Sequence, residues 1–66
     1  MKNLLKVERA KKNITQGDLA NHIGVSRQTI NAIETGKFVP STILALKLSR
    51  YFDAKVEEVF ILEDKD

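Results

Sequence analysis

The chain contains no cysteine and only one histidine, His22. Without thiols there is neither a disulfide framework nor a thiolate metal site, and this absence is in keeping with the cytoplasm. A lone imidazole makes no metal site, and it offers little from which to build the nucleophile, base or metal set of an active site. We therefore expect no enzyme, no metal and no cofactor, and we interpret His22 as a solvated residue.

Long hydrophobic runs are also missing. No apolar stretch approaches the ~18 residues of a membrane span, and the charges at Lys2 and Lys6 come too early for a signal peptide. The 66 residues, 1–66, suffice for one small domain, which buries only about 60% of the surface that its unfolded chain exposes. At this size oligomerisation is a common source of stability. These features predict a soluble, cytoplasmic domain.

Acidic residues are scarce in the first part of the chain. Residues 1–40 hold seven Lys or Arg against three acids, whereas residues 41–66 hold four against six. A basic half with an acidic half behind it suits a polyanion bound on one side. Ordinary solvated charge would give the same distribution, so the choice depends on the motif that the basic half carries.

Residues 15–36 predict two short helices joined by a tight turn. Thr15 is a good N-cap, and Asp18 three positions later comes close to a capping box. Gly24 stands where a chain leaving a helix favours left-handed dihedral angles. Ser26 caps the second helix and Gly36 ends it. Apolar residues of the two helices follow helical spacing: Leu19, Ala20, Ile23, Ile30 and Ile33.

This stretch resembles the helix-turn-helix of the lambda-repressor/Cro (Xre) family of DNA-binding regulators. That family has the pattern Thr/Ser-Gln-x-x-Leu-Ala, then Gly-Val-Ser, then Ile and a Glu-x-Gly ending. The matching residues are Thr15-Gln16, Leu19-Ala20, Gly24-Val25-Ser26, Ile30, Glu34-Thr35-Gly36 and, downstream, Pro40-Ser41. The resemblance covers roughly residues 4 to 60. It implies an all-α, five-helix, lambda-repressor-like DNA-binding domain, and short stand-alone members of the family are typically homodimers.

The flanking segments predict the remaining helices. A first helix is expected over residues 3–12, with Leu4, Leu5 and Val7 as its apolar residues. A fourth runs from the Ser41 cap to about residue 52, on Ile43, Leu44, Leu46, Leu48 and Tyr51, and a last short one covers residues 56–60.

The apolar end of the chain allows two interpretations. Phe60, Ile61 and Leu62 could cap the helical core of their own chain. Four consecutive apolar residues, 59–62, are more than that task needs and would leave apolar surface in water. We therefore expect Ile61 and Leu62 to extend as a short strand or segment, and Phe60, Ile61 and Leu62 to form a dimer contact within residues 56–62.

The outward face of the third helix predicts base reading. With Ile30 and Ile33 inward, amides, a guanidinium and small residues point outward without a carboxylate, a set that the major groove can accept. Every surface helix has a polar face, and only the matched motif favours DNA. The expected base-reading residues are Gln28 and Asn31 for adenine, Arg27 for guanine or a phosphate, and Thr29 and Ala32 for a thymine methyl.

Other groups are expected to hold the phosphate backbone. The N-terminus of the second helix offers free N–H groups and a favourable dipole to an anion, and the resemblance implies a phosphate contact just after the third helix. The expected phosphate contacts are Thr15, Gln16, Ser26, Lys37, the N–H of Phe38 and Ser41.

Glu34 is the one acid on the third helix, and a carboxylate facing DNA would repel it. Its helical position points toward the first helix, where Arg9 is the natural partner, and the resemblance implies a partly buried ion pair between the two. Two independent surface charges would be the plainer interpretation.

These features together predict a homodimeric transcriptional repressor that reads an inverted repeat in double-stranded DNA. An antitoxin-type autorepressor of the same fold is the nearest variant, and a protein-interaction module without DNA binding is the main rival. An acidic or apolar outward face on the third helix would favour that rival. No membrane contact and no small-molecule ligand are expected.

Overall fold

The computed structural model describes all residues, 1–66. Its elements in chain order are β1 (Lys2–Asn3), α1 (Leu5–Lys12), α2 (Gln16–Ile23), α3 (Arg27–Glu34), α4 (Thr42–Tyr51), α5 (Val56–Val59) and β2 (Phe60–Ile61). The prediction of an all-α domain with five helices is confirmed, and the short strand expected near the C-terminus is present as β2. None of the helices has the length and apolar character needed to cross a bilayer.

The first helix begins at Leu5, and the prediction that it begins at residue 3 is wrong. Lys2 and Asn3 instead form β1, which pairs antiparallel with β2 in the register Lys2 to Ile61 and Asn3 to Phe60. Leu4 is the N-cap residue of the helix, and the Oδ1 of Asn3 accepts a hydrogen bond from the Leu5 N–H at 3.3 Å. The partner strand lies at the other end of the chain, so no local pattern indicates the pairing.

Side-chain caps define where the helices start. Thr15 Oγ1 accepts from the Asp18 N–H, and Asp18 Oδ2 accepts from the Thr15 N–H, each at 3.0 Å. These hydrogen bonds favour the charged carboxylate and lower the pKa of Asp18. Ser26 and Ser41 cap α3 and α4 with their hydroxyl oxygens. The predicted capping of all three helices is confirmed.

The turn between α2 and α3 depends on two small residues. Gly24 has a φ of 88°, which a residue without Cβ adopts at least cost. Its N–H donates to the Ala20 carbonyl at 2.8 Å and so closes the end of α2. Ala20 itself is buried, and its small side chain lets α2 and α3 approach closely. The tight helix-turn-helix therefore follows from the residues that predicted it.

The core is built from all five helices and from β2. Its buried apolar side chains are Leu5, Leu19, Ala20, Ile30, Ile33, Leu48, Phe52, Val59 and Phe60. Ser49 is also buried, and its hydroxyl is satisfied because it donates to the Ala45 carbonyl at 2.9 Å.

Several apolar residues that the pattern assigned to the core are exposed. Leu4 just before α1 and Val7 within it are 40% and 48% exposed, and Leu5 is the only buried residue of that helix. On α4, Ile43 and Leu46 are 69% and 53% exposed. The buried face of α4 instead passes through Leu48, Ser49 and Phe52, because one helix can turn only one face toward so small a core.

Candidate nucleic-acid interface

The exposed face of α3 carries the residues expected to read bases. Arg27, Gln28 and Asn31 are exposed, while Thr29 and Ala32 are partly covered. The helix follows directly from the Gly24 turn, which sets its angle to α2. The face holds a guanidinium and two primary amides. It therefore presents donors and acceptors of the kind that pair with base edges in the major groove.

Glu34 does not share that face. Its side chain is 5% exposed and accepts two hydrogen bonds from Arg9, from Nε to Oε2 at 2.6 Å and from Nη2 to Oε1 at 3.0 Å. Arg9 Nη1 also donates to the Ile14 carbonyl at 3.0 Å. The guanidinium thus connects α1, the α1–α2 loop and the last turn of α3. The sequence-based pairing of Arg9 with Glu34 agrees with this geometry.

The contact between Arg9 and Glu34 shifts the pKa of both groups toward their charged forms. Burial opposes ionisation of Glu34 and is the largest influence on its pKa, but hydrogen bonds from Arg9 and Gln16 and the charge of Arg9 outweigh it, so the pKa lies below its ordinary value. The hydrogen bond to Glu34 raises the pKa of Arg9. Both groups are therefore charged at neutral pH, and the carboxylate is kept away from the face that would meet phosphates.

Gln16 is engaged differently from what the sequence suggested. Its Nε2 donates to Glu34 Oε1 at 3.1 Å and to Asn31 Oδ1 at 3.2 Å. The side-chain amide is therefore turned toward α3, and the group left for a phosphate is the backbone N–H in the first turn of α2. N–H groups at that position, here of Gln16 and Gly17, have no partner within the helix. Together with the exposed Arg27 they line one cleft.

Two other groups expected at phosphates are partly occupied. The Phe38 N–H donates to the Ala32 carbonyl at 3.2 Å, and the Lys37 N–H donates to the same oxygen at 2.9 Å. The backbone after α3 thus closes the helix and is not free to bind an anion, which corrects the expectation for the Phe38 N–H. The Lys37 ammonium forms no ion pair, and Lys37 is exposed. It is the group there that can meet a phosphate.

The hydroxyls of Ser26 and Ser41 act first as caps. Ser26 Oγ accepts from the Thr29 N–H at 3.1 Å and lies 2.9 Å from Thr29 Oγ1. Ser41 Oγ accepts from the Leu44 N–H at 3.2 Å. Both serines are exposed, and a hydroxyl that accepts in a cap can still donate its own proton outward. The Thr29 hydroxyl is turned to Ser26.

Sequence reasoning missed Asn3 as a support of α3. Its Nδ2 donates to the Ile33 carbonyl near the end of that helix at 2.8 Å. The hydrogen bond joins the β1–β2 ribbon to α3, so the ribbon helps to hold the helix in place. The only signal in the sequence would have been a polar residue just before the first helix, which is too common to interpret.

His22 is exposed, but it also stacks on a neighbour. Its ring lies 4.9 Å from that of Tyr51, at an angle of 30°. Lys12 Nζ lies 5.3 Å from the centre of the Tyr51 ring. The interpretation of His22 as a merely solvated residue therefore needs this addition, since Tyr51 was assigned only to the core face of α4.

The three residues expected at a dimer contact differ in exposure. Phe60 is 8% exposed and belongs to the core of its own chain. Ile61 pairs with Lys2 through the backbone and is 36% exposed, and Leu62 is 78% exposed. Phe60 is thus already used within the protomer, and the apolar surface left at this end is that of Ile61 and Leu62.

Comparison with known proteins covers nearly the whole chain. Residues 5–59 match the family described as helix-turn-helix. The chain is 56% identical to an uncharacterized HTH-type transcriptional regulator of Methanocaldococcus jannaschii and 47% identical to the uncharacterized HTH-type transcriptional regulator YgzD of Bacillus subtilis, in both cases over the full length of both chains. An uncharacterized HTH-type transcriptional regulator of Archaeoglobus fulgidus is 46% identical over all of this chain and 93% of its own. The chain therefore belongs to the Xre-type helix-turn-helix family.

Proposed function

We propose that this protein is a homodimeric transcriptional repressor that reads an inverted-repeat operator with α3 in the major groove. The observation that carries the proposal is the outward face of α3, which presents Arg27, Gln28 and Asn31 while Arg9 holds the only carboxylate of the helix inward. The relatives that are named HTH-type transcriptional regulators support the regulatory role. The place of action is the compartment that holds the DNA, the cytoplasm.

In this proposal, base reading and backbone binding are separate tasks. Gln28 and Arg27 carry most of the discrimination, since each can make a bidentate contact with one base. Thr29 and Ala32 offer small apolar groups at the same surface. The phosphate contacts come from the first turn of α2 at Thr15 and Gln16, and from Ser26, Lys37 and Ser41. These contacts orient α3 without selecting a sequence.

The small footprint of one recognition helix supports a homodimer. Two copies of α3 related by a two-fold axis meet successive major grooves about 34 Å apart, or one helical turn. A protomer measures 32 × 22 × 20 Å and carries a single recognition helix, so two copies side by side are needed for both grooves. We place the contact at Ile61 and Leu62, the exposed end of the β2 segment.

The test begins with selection of bound duplexes from a random pool. We expect an inverted repeat with half-site centres ~10 bp apart or a close multiple. Affinity should fall roughly a thousandfold or more between about 50 and 200 mM salt if the dimer makes at least six phosphate contacts. No selected duplex, or an affinity independent of salt, would contradict the proposal.

Two variants then separate the two tasks. Gln28→Ala should lose affinity for the operator by a factor corresponding to ~1–3 kcal/mol and lose little on scrambled duplex. Lys37→Ala should weaken binding to both duplexes alike and lower the salt slope by about two, because the dimer loses one lysine from each protomer. An equal loss on both duplexes for Gln28→Ala would mean that α3 does not read bases as proposed.

A further inference from the structure

The exposed side of α4 carries two clefts that share two cations. The first cleft, of about 470 Å³, lies between α4 and the start of α5, and its apolar lining is Ile43, Leu46, Ala54 and Val56. The second, of about 330 Å³, lies between α4 and the end of α2, and it is lined by His22, Ile23 and Tyr51. Lys47 and Arg50 line both clefts and so form a ridge between them. We call the two clefts and their ridge the α4 surface.

The positive charge of this ridge has no counter-charge within the protein. No carboxylate lines either cleft, α4 contains no acidic residue, and neither Lys47 nor Arg50 takes part in an ion pair. The two cations stand three positions apart on one side of the helix, where like charges repel each other. The acidic end of the chain is engaged elsewhere, because Glu63 and Asp66 hold the Met1 ammonium. The ridge is therefore free to attract an anionic group from another molecule.

Exposed apolar side chains stand beside the same cations. Ile43 and Leu46 are 69% and 53% exposed. Together with Lys47 and Arg50 they occupy positions i, i+3, i+4 and i+7, which lie on one face of a helix. Apolar surface rimmed by charged residues is typical of protein interaction sites. A partner that suits this face must offer apolar groups and carboxylates at the same time.

The α4 surface is poorly suited to nucleic acid. The phosphate contact that we propose for α4 is Ser41, just before the first turn of the helix, and Arg50 lies about 13 Å further along the axis. A duplex that meets the start of α4 therefore leaves the ridge free. A phosphate backbone also gains little from two exposed aliphatic side chains. The combination of cations and apolar clefts favours a protein.

We propose that the α4 surface is a docking site for a partner protein segment that carries carboxylates between apolar residues. The carboxylates pair with Lys47 and Arg50, and the apolar side chains of the segment fill the two clefts. The inference goes beyond the proposed function and does not depend on it. Since the surface lies away from the face that is proposed to meet DNA, the protein can hold this partner and an operator together.

The experiment selects peptides from a random displayed library, with the whole wild-type protein as the target and without DNA. The recovered peptides should combine Asp or Glu with neighbouring apolar residues. One of them is then synthesised, and its Kd is measured for the wild type and for Lys47→Glu/Arg50→Glu. Reversal of both cations should weaken binding by roughly tenfold or more, because each attraction becomes a repulsion. Leu46→Ser should weaken it by about fivefold through the loss of apolar contact.

Arg27→Glu/Lys37→Glu is the matched control, because it changes the net charge by the same amount on the surface that is proposed to meet DNA. This variant should bind the peptide within about threefold of the wild type. Backbone amide chemical shifts of the wild type supply an independent readout. On addition of the peptide they should change at residues 43–54 and stay constant at residues 27–34.

Four results would overturn the inference. These are a selection that yields no peptide, recovered peptides without carboxylates, binding that is lost in the control variant but kept in Lys47→Glu/Arg50→Glu, and amide shifts confined to α3. Monomers of Lys47→Glu/Arg50→Glu in sedimentation would also overturn it, because the surface would then belong to a second copy of the chain. If that variant does not fold, the amide shifts of the wild type decide the question.

Discussion

At the scale of single residues, Arg9 and Glu34 combine a structural and a functional task. Their side chains are 15% and 5% exposed, so the pair is largely shielded from the solvent that screens surface ion pairs. Arg9 also donates to the Ile14 carbonyl and so holds the loop that leads into α2. The pair connects α1 to the helix-turn-helix and keeps the Glu34 carboxylate off the exposed face of α3.

Removing one partner should therefore cost more than removing both. Glu34→Gln or Arg9→Met should each destabilise the domain by about 3 kcal/mol, since one buried charge is left uncompensated. That is a large part of the total for so small a domain. Urea unfolding of the two single variants and the double variant measures the coupling. A coupling free energy near zero would mean that the charges act independently.

The pair also predicts how stability depends on pH. The pKa of Glu34 is lower in the folded protein than its unfolded value of about 4.3, so its contribution is complete above that pH and is lost as the pH falls through the folded pKa. The lowered pKa of Asp18, caused by its hydrogen bonds with Thr15, acts in the same range. Unfolding of Glu34→Gln should thus depend less steeply on pH below about 4 than unfolding of the wild type. An unfolding free energy that falls equally steeply with decreasing pH in both proteins would contradict this.

At the scale of the elements, two glycines of the helix-turn-helix offer a matched comparison. Gly24 has a φ of 88°, and an added Cβ would meet nothing within 4 Å, so the cost of Gly24→Ala is conformational alone. We expect Gly24→Ala to lower the free energy of unfolding by about 1–2 kcal/mol. Gly17 lies inside α2, where a Cβ would make ordinary contacts at 3.7 and 3.9 Å. Gly17→Ala should raise the free energy of unfolding by about 0.5–1 kcal/mol. Thermal unfolding of both variants checks the opposite signs.

Local signals predicted the elements that local chemistry determines. The caps at Thr15, Ser26 and Ser41 and the left-handed end at Gly24 all lie where the residue types indicated. Each of them depends on contacts within a few neighbours in the chain. The start of the first helix was missed because it depends on β2 at the far end.

The candidate site was predictable in its residues and less so in its hydrogen bonds. Helical spacing was enough to place Arg27, Gln28 and Asn31 outward and Glu34 inward. The engagement of Gln16 with Glu34 and Asn31 depends on how α2 crosses α3, which no spacing rule contains. Apolar spacing along α4 likewise left open which side of the helix faces the core.

At the scale of the whole molecule, two of the exposed apolar clusters are candidates for the dimer contact that we propose. One is formed by Ile61 and Leu62, and the other by Ile43 and Leu46 on α4. A protein that exposes such clusters gains by covering one of them. Our proposal assigns the dimer contact to the first cluster, and the second supplies the control.

Paired charge substitutions distinguish the clusters. Leu62→Asp should give monomers in sedimentation with the helical content unchanged, because the side chain is 78% exposed in the protomer and contributes little to its fold. Leu46→Asp, at a residue that is 53% exposed, should leave the dimer intact. The reverse result would move the interface to α4, and dimers in both variants would exclude both clusters.

The β1–β2 ribbon makes the backbone of this domain almost a closed ring. Residues 2–3 lie hydrogen-bonded beside residues 60–61, so the two ends emerge at the same edge of the molecule. A fusion partner or affinity tag on either end would therefore occupy the same region of space, next to Ile61. The exposed segment between α3 and α4 at residues 37–39 provides the natural opening for a circular permutant. In such a chain β2 and β1 form a hairpin. The new chain begins with α4 and ends with α3.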